Sequence, residues 1–285
     1  MRRRDKFPLL PRNKNSEKGR YGHALIVAGS RRMTGAAVLA AKAAVKAGSG
    51  LVTLAIPEGL GKVLPRVPAE VMRLELPATR SGALSLAASA PLLKFIKACH
   101  INAVLIGPGL SLEAASLVRR LLARMPVSGV LDADGLNAFQ GKATLLKKRR
   151  MGLVLTPHRR EFERLFGRRL PEGLRKRAAL AKKISKSYDV VLALKGHRTL
   201  VVERDRIYVN ATGNAGMAKG GTGDVLAGMI VAFIAQGLGL FEAARWAVYF
   251  HGRAGDIAVK TQGELSLTAS DMIDCLPKAF GSVRP

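Results

Sequence analysis

Apolar runs of strand length alternate with helical patterns along most of this chain, and that alternation limits the fold more than any other feature. "HALIVAG" (23–29), "LVTLAIP" (51–57), "VMRLELP" (71–77) and "NAVLIGPGL" (102–110) read as strands, as do "SGVLDADGLN" (128–137), "MGLVLTPH" (151–158) and "DVVLALKG" (189–196). Helical patterns separate them: alanine-rich 35–48, then 84–99, 112–124 and 160–186. "TLVVE" and "RIYVN" read as a short meander, and after Asn210 the chain reads mostly helical. Such alternation predicts an α/β fold with a mostly parallel sheet and helices on both faces. In that architecture ligands bind beyond the carboxyl ends of the strands. "IGPGL", "DADGLN", "TPH" and "KGHRT" each follow a strand, so four turns are expected along one sheet edge.

The segment "GNAGMAKGGTGDVLAGMIVAFIAQG" (213–237) carries the clearest chemical signal. Its glycines can turn successive N–H groups into one concavity, and a helix start adds free N–H groups and the positive end of its dipole. Together they suit a phosphate, or the charge that builds during phosphoryl transfer. The loop is neither GxxxxGK[ST] nor GxGxxG, because Leu226 stands where the last glycine would be. Asp224, at the join, has two readings. It is a first-turn acid compensating the helix dipole, or a general base beside the anion site. The glycines ahead of it favour the base.

With 285 residues, nearly half of them apolar, a large core is expected. The longest apolar run, Val225 to Ala235, is too short for a membrane span. The basic start has no apolar signal core, so residues 1–18 are expected to be a tail, disordered or draping, ahead of one domain over 19–285. Cys99 and Cys275 have no metal or redox spacing and read as free thiols of a cytoplasmic protein. The net charge of +27 would attract polyanions. Its clusters are spread along the chain without interleaved aromatics, so weak salt-sensitive adhesion is expected rather than specific nucleic-acid binding.

The ordered set "KGRYGHALIVAGS", "TGAAVLAAKAAVKAGSGLVTLA", "VLIGPGL", "LDADGLN", "LTPHRREFERL", "LALKGHRTLV", "NATGNAGMAKGGTGDVLAGMIVAFIAQG", "AVYFHGRAGD" and "SLTASDMIDCLP" resembles the ADP/ATP-dependent NAD(P)H-hydrate dehydratases, of the ribokinase-like superfamily. The resemblance implies a ribokinase-like three-layer sandwich. It also implies a lyase that dehydrates the S epimer of hydrated NADH or NADPH. Relatives phosphorylate the ring hydroxyl from ADP or ATP with Mg2+ and then eliminate phosphate; with ADP the other product is AMP. A small-molecule kinase of the same fold, acting on a vitamin or sugar alcohol, shares the glycine loop and its acid and stays open as the alternative.

By the same resemblance, Asp224 is the base, with Gly221 and Gly223 in the anion hole. Ala36, Gly109, His158 and Asp224 contact the hydrated dinucleotide. Lys195, Gly196, His197, Arg198, Thr199 and Gly223 contact the nucleotide, with Asn214 and Lys219 facing its phosphates. Metal ligands are left unassigned. From the residues alone, His158 is also a helix cap or plain surface, Lys195 an ordinary surface lysine, and Asp132 or Asp134 a cap in a turn. The chain departs from the family pattern in Arg159 and Arg160, where many relatives have Pro-Gly, and in its basicity. The resemblance further implies a homotetramer and a separate epimerase acting in the same pathway.

Overall fold

The computed structural model describes residues 7–8, 12–62, 64 and 67–282. Among these residues nine strands form one sheet: β1 (His23–Val27), β2 (Leu51–Pro57), β3 (Val71–Leu76), β4 (Ala103–Ile106), β5 (Ser128–Leu131), β6 (Leu153–Leu155), β7 (Val191–Leu194), β8 (Leu200–Glu203) and β9 (Arg206–Val209). Their order is β3-β2-β1-β4-β5-β6-β7-β8-β9. β1 to β7 pair in parallel, and β8 and β9 return antiparallel as the expected meander.

Period-two alternation divides the strand side chains between two cores. Ala24, Ile26, Leu54, Leu105, Val130 and Val154 face one core; Leu25, Val27, Val104, Ile106, Leu131 and Leu155 face the other. The first core is closed by α1 (Thr34–Lys46), α7 (Thr222–Ala235), α8 (Leu240–Ser266) and α9 (Ala269–Phe280). The second is closed by α2 (Ser89–Ala98), α3 (Ala115–Arg124), α5 (Arg159–Phe166) and α6 (Leu174–Tyr188), with the short α4 (Asp134–Asn137) at the end of β5. Three layers result, as expected.

α7 is apolar all round because it is wrapped all round: residues 225 to 235 are buried, and the helix packs on α1, α8 and the sheet. The alanines of α1 permit a close approach. At the contact, a Cβ on Gly228 would lie 2.3 Å from Ala40 O. Burying a side chain such as Phe233 contributes about 1.5–3 kcal/mol over leaving it in water.

The leading segment is partly docked. The Phe7 ring sits 4.7 Å from that of Phe250 and 5.0 Å from Trp246. The Arg12 guanidinium lies over the Tyr21 ring and donates to Gly48 O at 2.6 Å. Most of the basic clusters sit on the second layer: α5 and α6 present Arg160, Arg164, Arg175, Lys176, Lys183 and Lys186 to solvent, whereas α7 has no basic residue. Among the described residues no helix is long and apolar enough to cross a membrane.

Gly228→Ala is expected to force α1 and α7 apart and destabilise the fold by about 1–3 kcal/mol. Thermal denaturation checks this; an unchanged Tm would show that the contact is slack.

Candidate functional site

The strand order reverses between β1 and β4, and there the loops beyond both strands meet: Gly29 N donates to Pro108 O at 2.8 Å. This is the crevice where open α/β sheets take ligands. Ala36 and Gly109 are brought together on its wall, since a Cβ on Gly109 would lie 3.2 Å from Ala36 Cβ and 2.6 Å from Met33 O. Gly109 also has φ +64, so both space and backbone select glycine. The neighbouring turns interlock. A Cβ on Gly107 would collide with Asp132 O, and one on Gly135 would lie 2.3 Å from Ile106 O.

Beyond β5, β6 and β7 lies a buried polar cluster. Asp132 follows β5 and is 1% exposed. Its Oδ1 accepts from Lys195 Nζ at 2.7 Å and from Thr156 Oγ1 at 2.7 Å. Lys195 directly follows β7, and its ammonium also lies 3.6 Å from Glu161 Oε2. The lysine is thus no surface residue, and Asp132 is no cap. Asp134 is no cap either: it is the first residue of α4, and its carboxylate accepts from Ser111 N at 2.9 Å and Asn137 Nδ2 at 3.1 Å, not from an N–H of the helix start. Burial pulls the Lys195 pKa down, but Asp132 and Glu161 outweigh it and hold the ammonium above the ordinary lysine value.

His158 is the N-cap of α5, in a reciprocal box with Glu161. His158 Nδ1 accepts from Glu161 N at 3.2 Å, and Glu161 Oε2 accepts from His158 N at 2.8 Å. The cap leaves the imidazole edge exposed and keeps Glu161 buried at the foot of Lys195. Burial lowers the His158 pKa against the pull of Glu161.

The glycine loop closes over this cluster. Gly221 is the N-cap of α7, with φ +87, and a Cβ there would lie 2.5 Å from Leu39 Cδ1. Its left-handed backbone favours glycine, and the Leu39 side chain of α1 would have to turn aside for any Cβ, so its contribution is partly architectural. Gly223 differs: a Cβ would point into the site, 3.3 Å from Lys195 Nζ and 4.0 Å from Asp132 Oδ2. One residue on, Asp224 stands in the first turn of α7. Burial, reinforced by the Asp132 carboxylate and opposed by Lys195, pushes its pKa up from 3.8 to about 7. A first-turn acid serving the helix dipole would be stabilised as an anion. Asp224 is instead poised between protonated and ionised at neutral pH, the condition suited to a general base.

The remaining expected residues fall in two places. Gly196, His197 and Arg198 form the exposed turn between β7 and β8, which Thr199 ties by donating from Oγ1 to Gly196 O at 2.9 Å. Asn214 and Lys219 have partners on α8: Asn214 Nδ2 donates to Asp256 Oδ1 at 3.2 Å, and Lys219 Nζ donates to Leu265 O. In the sequence Asp132 carries only the cap reading, and Thr156 and Glu161 carry no site reading. A polar residue ending an apolar strand, and an acid three positions after a capping residue, were the signals available.

The NAD(P)H-hydrate dehydratase family model matches residues 24–278. A bifunctional NAD(P)H-hydrate repair enzyme of Moorella thermoacetica is 44% identical over 272 residues, covering 94% of this chain and 51% of its own length. Another, of Thermofilum pendens, is 39% identical over 283 residues, covering 98% and 54%. The chain spans about half the length of these curated relatives. Among solved structures, an ADP/ATP-dependent NAD(P)H-hydrate dehydratase from Bacillus subtilis, co-crystallized with ATP/Mg2+, matches with TM-score 0.77 at 31% identity, covering 96% of this chain and 94% of that one. A ribokinase-like superfamily protein from Enterococcus faecalis matches with TM-score 0.80 at 26% identity, covering 97% and 93%.

A carboxyl whose pKa is raised on folding binds its proton more tightly in the native state. Its contribution to stability is therefore complete below about pH 4 and is lost as pH rises through about 7. Asp224→Asn lacks that loss, so its Tm should exceed the wild-type value above pH 7 and converge with it near pH 4. Equal Tm differences at both pH values would contradict the raised pKa.

Proposed function

Because the chain belongs to the NAD(P)H-hydrate dehydratase family, we propose that it removes water from the S epimer of hydrated NADH or NADPH, driven by ADP or ATP. The observation that carries the proposal is Asp224: a carboxylate with a pKa near 7, at the mouth of a glycine loop and beside an ion-paired lysine.

The chemistry needs a better leaving group than hydroxide. The ring hydroxyl attacks the terminal phosphorus of the nucleotide, and Asp224 takes the hydroxyl proton as the new O–P bond forms. The bridging P–O bond breaks, releasing AMP from ADP, or ADP from ATP. Phosphate then leaves with the C–O electron pair, the adjacent ring carbon gives its proton to solvent, and the electrons of that C–H bond restore the double bond of the dihydronicotinamide. N–H groups of Gly220 to Gly223 face the charge on the migrating phosphoryl. Lys195 and the turn Gly196, His197, Arg198 and Thr199 hold the nucleotide, with Gly223 letting its phosphates approach. Asn214 and Lys219 shape the loop, since their side chains are engaged on α8. Ala36, Gly109 and the exposed edge of His158 receive the hydrated dinucleotide.

Magnesium fits these residues as an ion carried by the nucleotide. Among the described residues no three His, Cys, Asp or Glu side chains are grouped to hold a metal ion. Magnesium usually keeps its waters and takes one or two carboxylates beside phosphate oxygens. Asp132 is suited to that role, because Oδ1 is engaged and Oδ2 is turned toward Gly223. Bound there, the ion would neutralise phosphate charge. An epimerase in the same repair sequence would supply the S hydrate from the R epimer. Assembly as a homo-oligomer and a cytoplasmic location belong to the same proposal.

Incubating the protein with hydrated NADH, magnesium and ADP or ATP should restore NADH absorbance; no recovery with either nucleotide rejects the reading. A stable phosphate ester in place of NADH would assign a kinase. Asp224→Asn should lower kcat by roughly 10²–10⁴-fold. The kcat/KM profile should fall as pH drops below about 7. Asp132→Asn removes a neighbouring negative charge, so the acid limb should move to lower pH. A limb unmoved by that change would mean that another group is titrating.

A further inference from the structure

The loop that ends in Gly223 is laid along α8, and α8 is shaped to receive it. At the loop's start, Thr212 Oγ1 donates to Tyr249 O at 2.9 Å, and Gly213 N donates to Asp256 Oδ2 at 3.0 Å. Two glycines notch the helix where the loop crosses: a Cβ on Gly252 would lie 2.3 Å from Thr212 Oγ1, and one on Gly255 would lie 2.4 Å from Met217 Sδ. At the loop's end, His251 Nε2 lies 2.8 Å from Thr222 O. A carbonyl can only accept, so the imidazole proton must sit on Nε2 and be donated to it. Burial lowers the His251 pKa to about 4, so the ring is neutral at physiological pH and can hold that single tautomer.

Thr222 O and the Gly223 N–H belong to one peptide unit. The unit is planar and trans, so its C=O and N–H point in opposite directions. Fixing the carbonyl from behind therefore fixes where the N–H points in front. The Gly223 N–H lies in the first turn of α7, where the helix supplies no acceptor for it. Its Cα faces the Lys195–Asp132 pair. A hydrogen bond to the carbonyl also polarises the amide and strengthens its N–H as a donor.

We propose that His251 is a positioning residue for the reaction: by donating to Thr222 O it aims the Gly223 N–H at the migrating phosphoryl and sets the turn that carries Asp224. This rests on the dehydratase reading for its kinetic consequence but not for its structural one. Asp256, together with the notches at Gly252 and Gly255, holds the other end of the same loop, so the "HGRAGD" stretch acts as its template. The role accounts for a half-buried histidine held on the carbonyl that precedes Gly223, near enough to Lys195 to feel its charge.

Two variants test it. His251→Leu keeps the bulk and loses the donor; His251→Gln can restore a donor to Thr222 O. His251→Leu should lower kcat by about 10–100-fold while leaving the nucleotide KM within about threefold, and His251→Gln should recover most of the loss. A merely structural residue would instead lower Tm and active fraction without this split. The Gly223 amide proton, followed by NMR in glycine-labelled protein during titration with ADP and magnesium, should shift downfield in wild type and His251→Gln and markedly less in His251→Leu. The NMR arm decides the proposal even if hydrated NADH proves not to be the substrate. A His251→Leu protein with wild-type kcat and a wild-type Gly223 shift overturns it. So does a His251→Gln protein that folds normally but matches His251→Leu in both readouts. If His251→Leu fails to fold, His251→Gln alone decides by its Gly223 shift: wild-type behaviour supports the donor role and a lost response refutes it.

Discussion

The site is organised around a buried ion pair, Lys195 to Asp132 at 2.7 Å. Removing either partner would leave an uncompensated charge in a poorly solvated place, at a cost of about 3–5 kcal/mol. The pair therefore locks the ends of β5 and β7 into one register at the carboxyl edge of the sheet. Thr156, from the strand between them, donates to the same Asp132 oxygen, so three neighbouring strands contribute to one contact. Glu161 approaches the lysine from α5, its position set by the cap with His158. The raised pKa of Asp224 follows first from its burial and then from this arrangement, in which two carboxylates already share the one lysine.

On the proposed reaction, that arrangement would call for a cation to accompany the nucleotide. Asp132, Glu161 and Asp224 face one lysine, and a nucleotide would bring further negative charge. Two features moderate the repulsion: Asp224 is readily protonated near neutrality, and free N–H groups gather at the start of α7. Magnesium travelling with the phosphates would supply the remaining positive charge. The basic clusters on α5 and α6 lie on the outer layer rather than in the crevice. From there they could act on an anionic ligand only through their field, which salt would screen.

Much of the fold was legible because its physics is local. Strand-length apolar runs, helices closed by glycine and the polar turns after strands each mark an element, and parallel pairing then puts the turns on one edge. The glycine loop was legible for the same reason: glycines ahead of a helix have few other uses. Less legible were residues whose roles depend on long-range packing. Nothing near Lys195 in the chain indicates that it is buried against an aspartate 63 positions away. His158 had an open reading as a cap, and the structure gives it that cap together with a solvent-exposed edge. The resemblance puts Gly221 in the anion hole, and its left-handed backbone favours glycine there in any case.

The contrast between Gly221 and Gly223 shows how architecture and chemistry divide one short loop. Gly221 turns the chain under α1, whereas Gly223 clears the space before Lys195, and the peptide between Thr222 and Gly223 joins the two tasks. A loop rich in glycine has little intrinsic preference for one conformation, because each glycine loses more entropy on ordering than any other residue. Its geometry has to come from what it lies against. α8 supplies that constraint through the hydrogen bonds of Asp256 and His251 and through the notches at Gly252 and Gly255. The flexibility that lets N–H groups converge on a phosphate is thus tolerated only because a long, well-packed helix removes it.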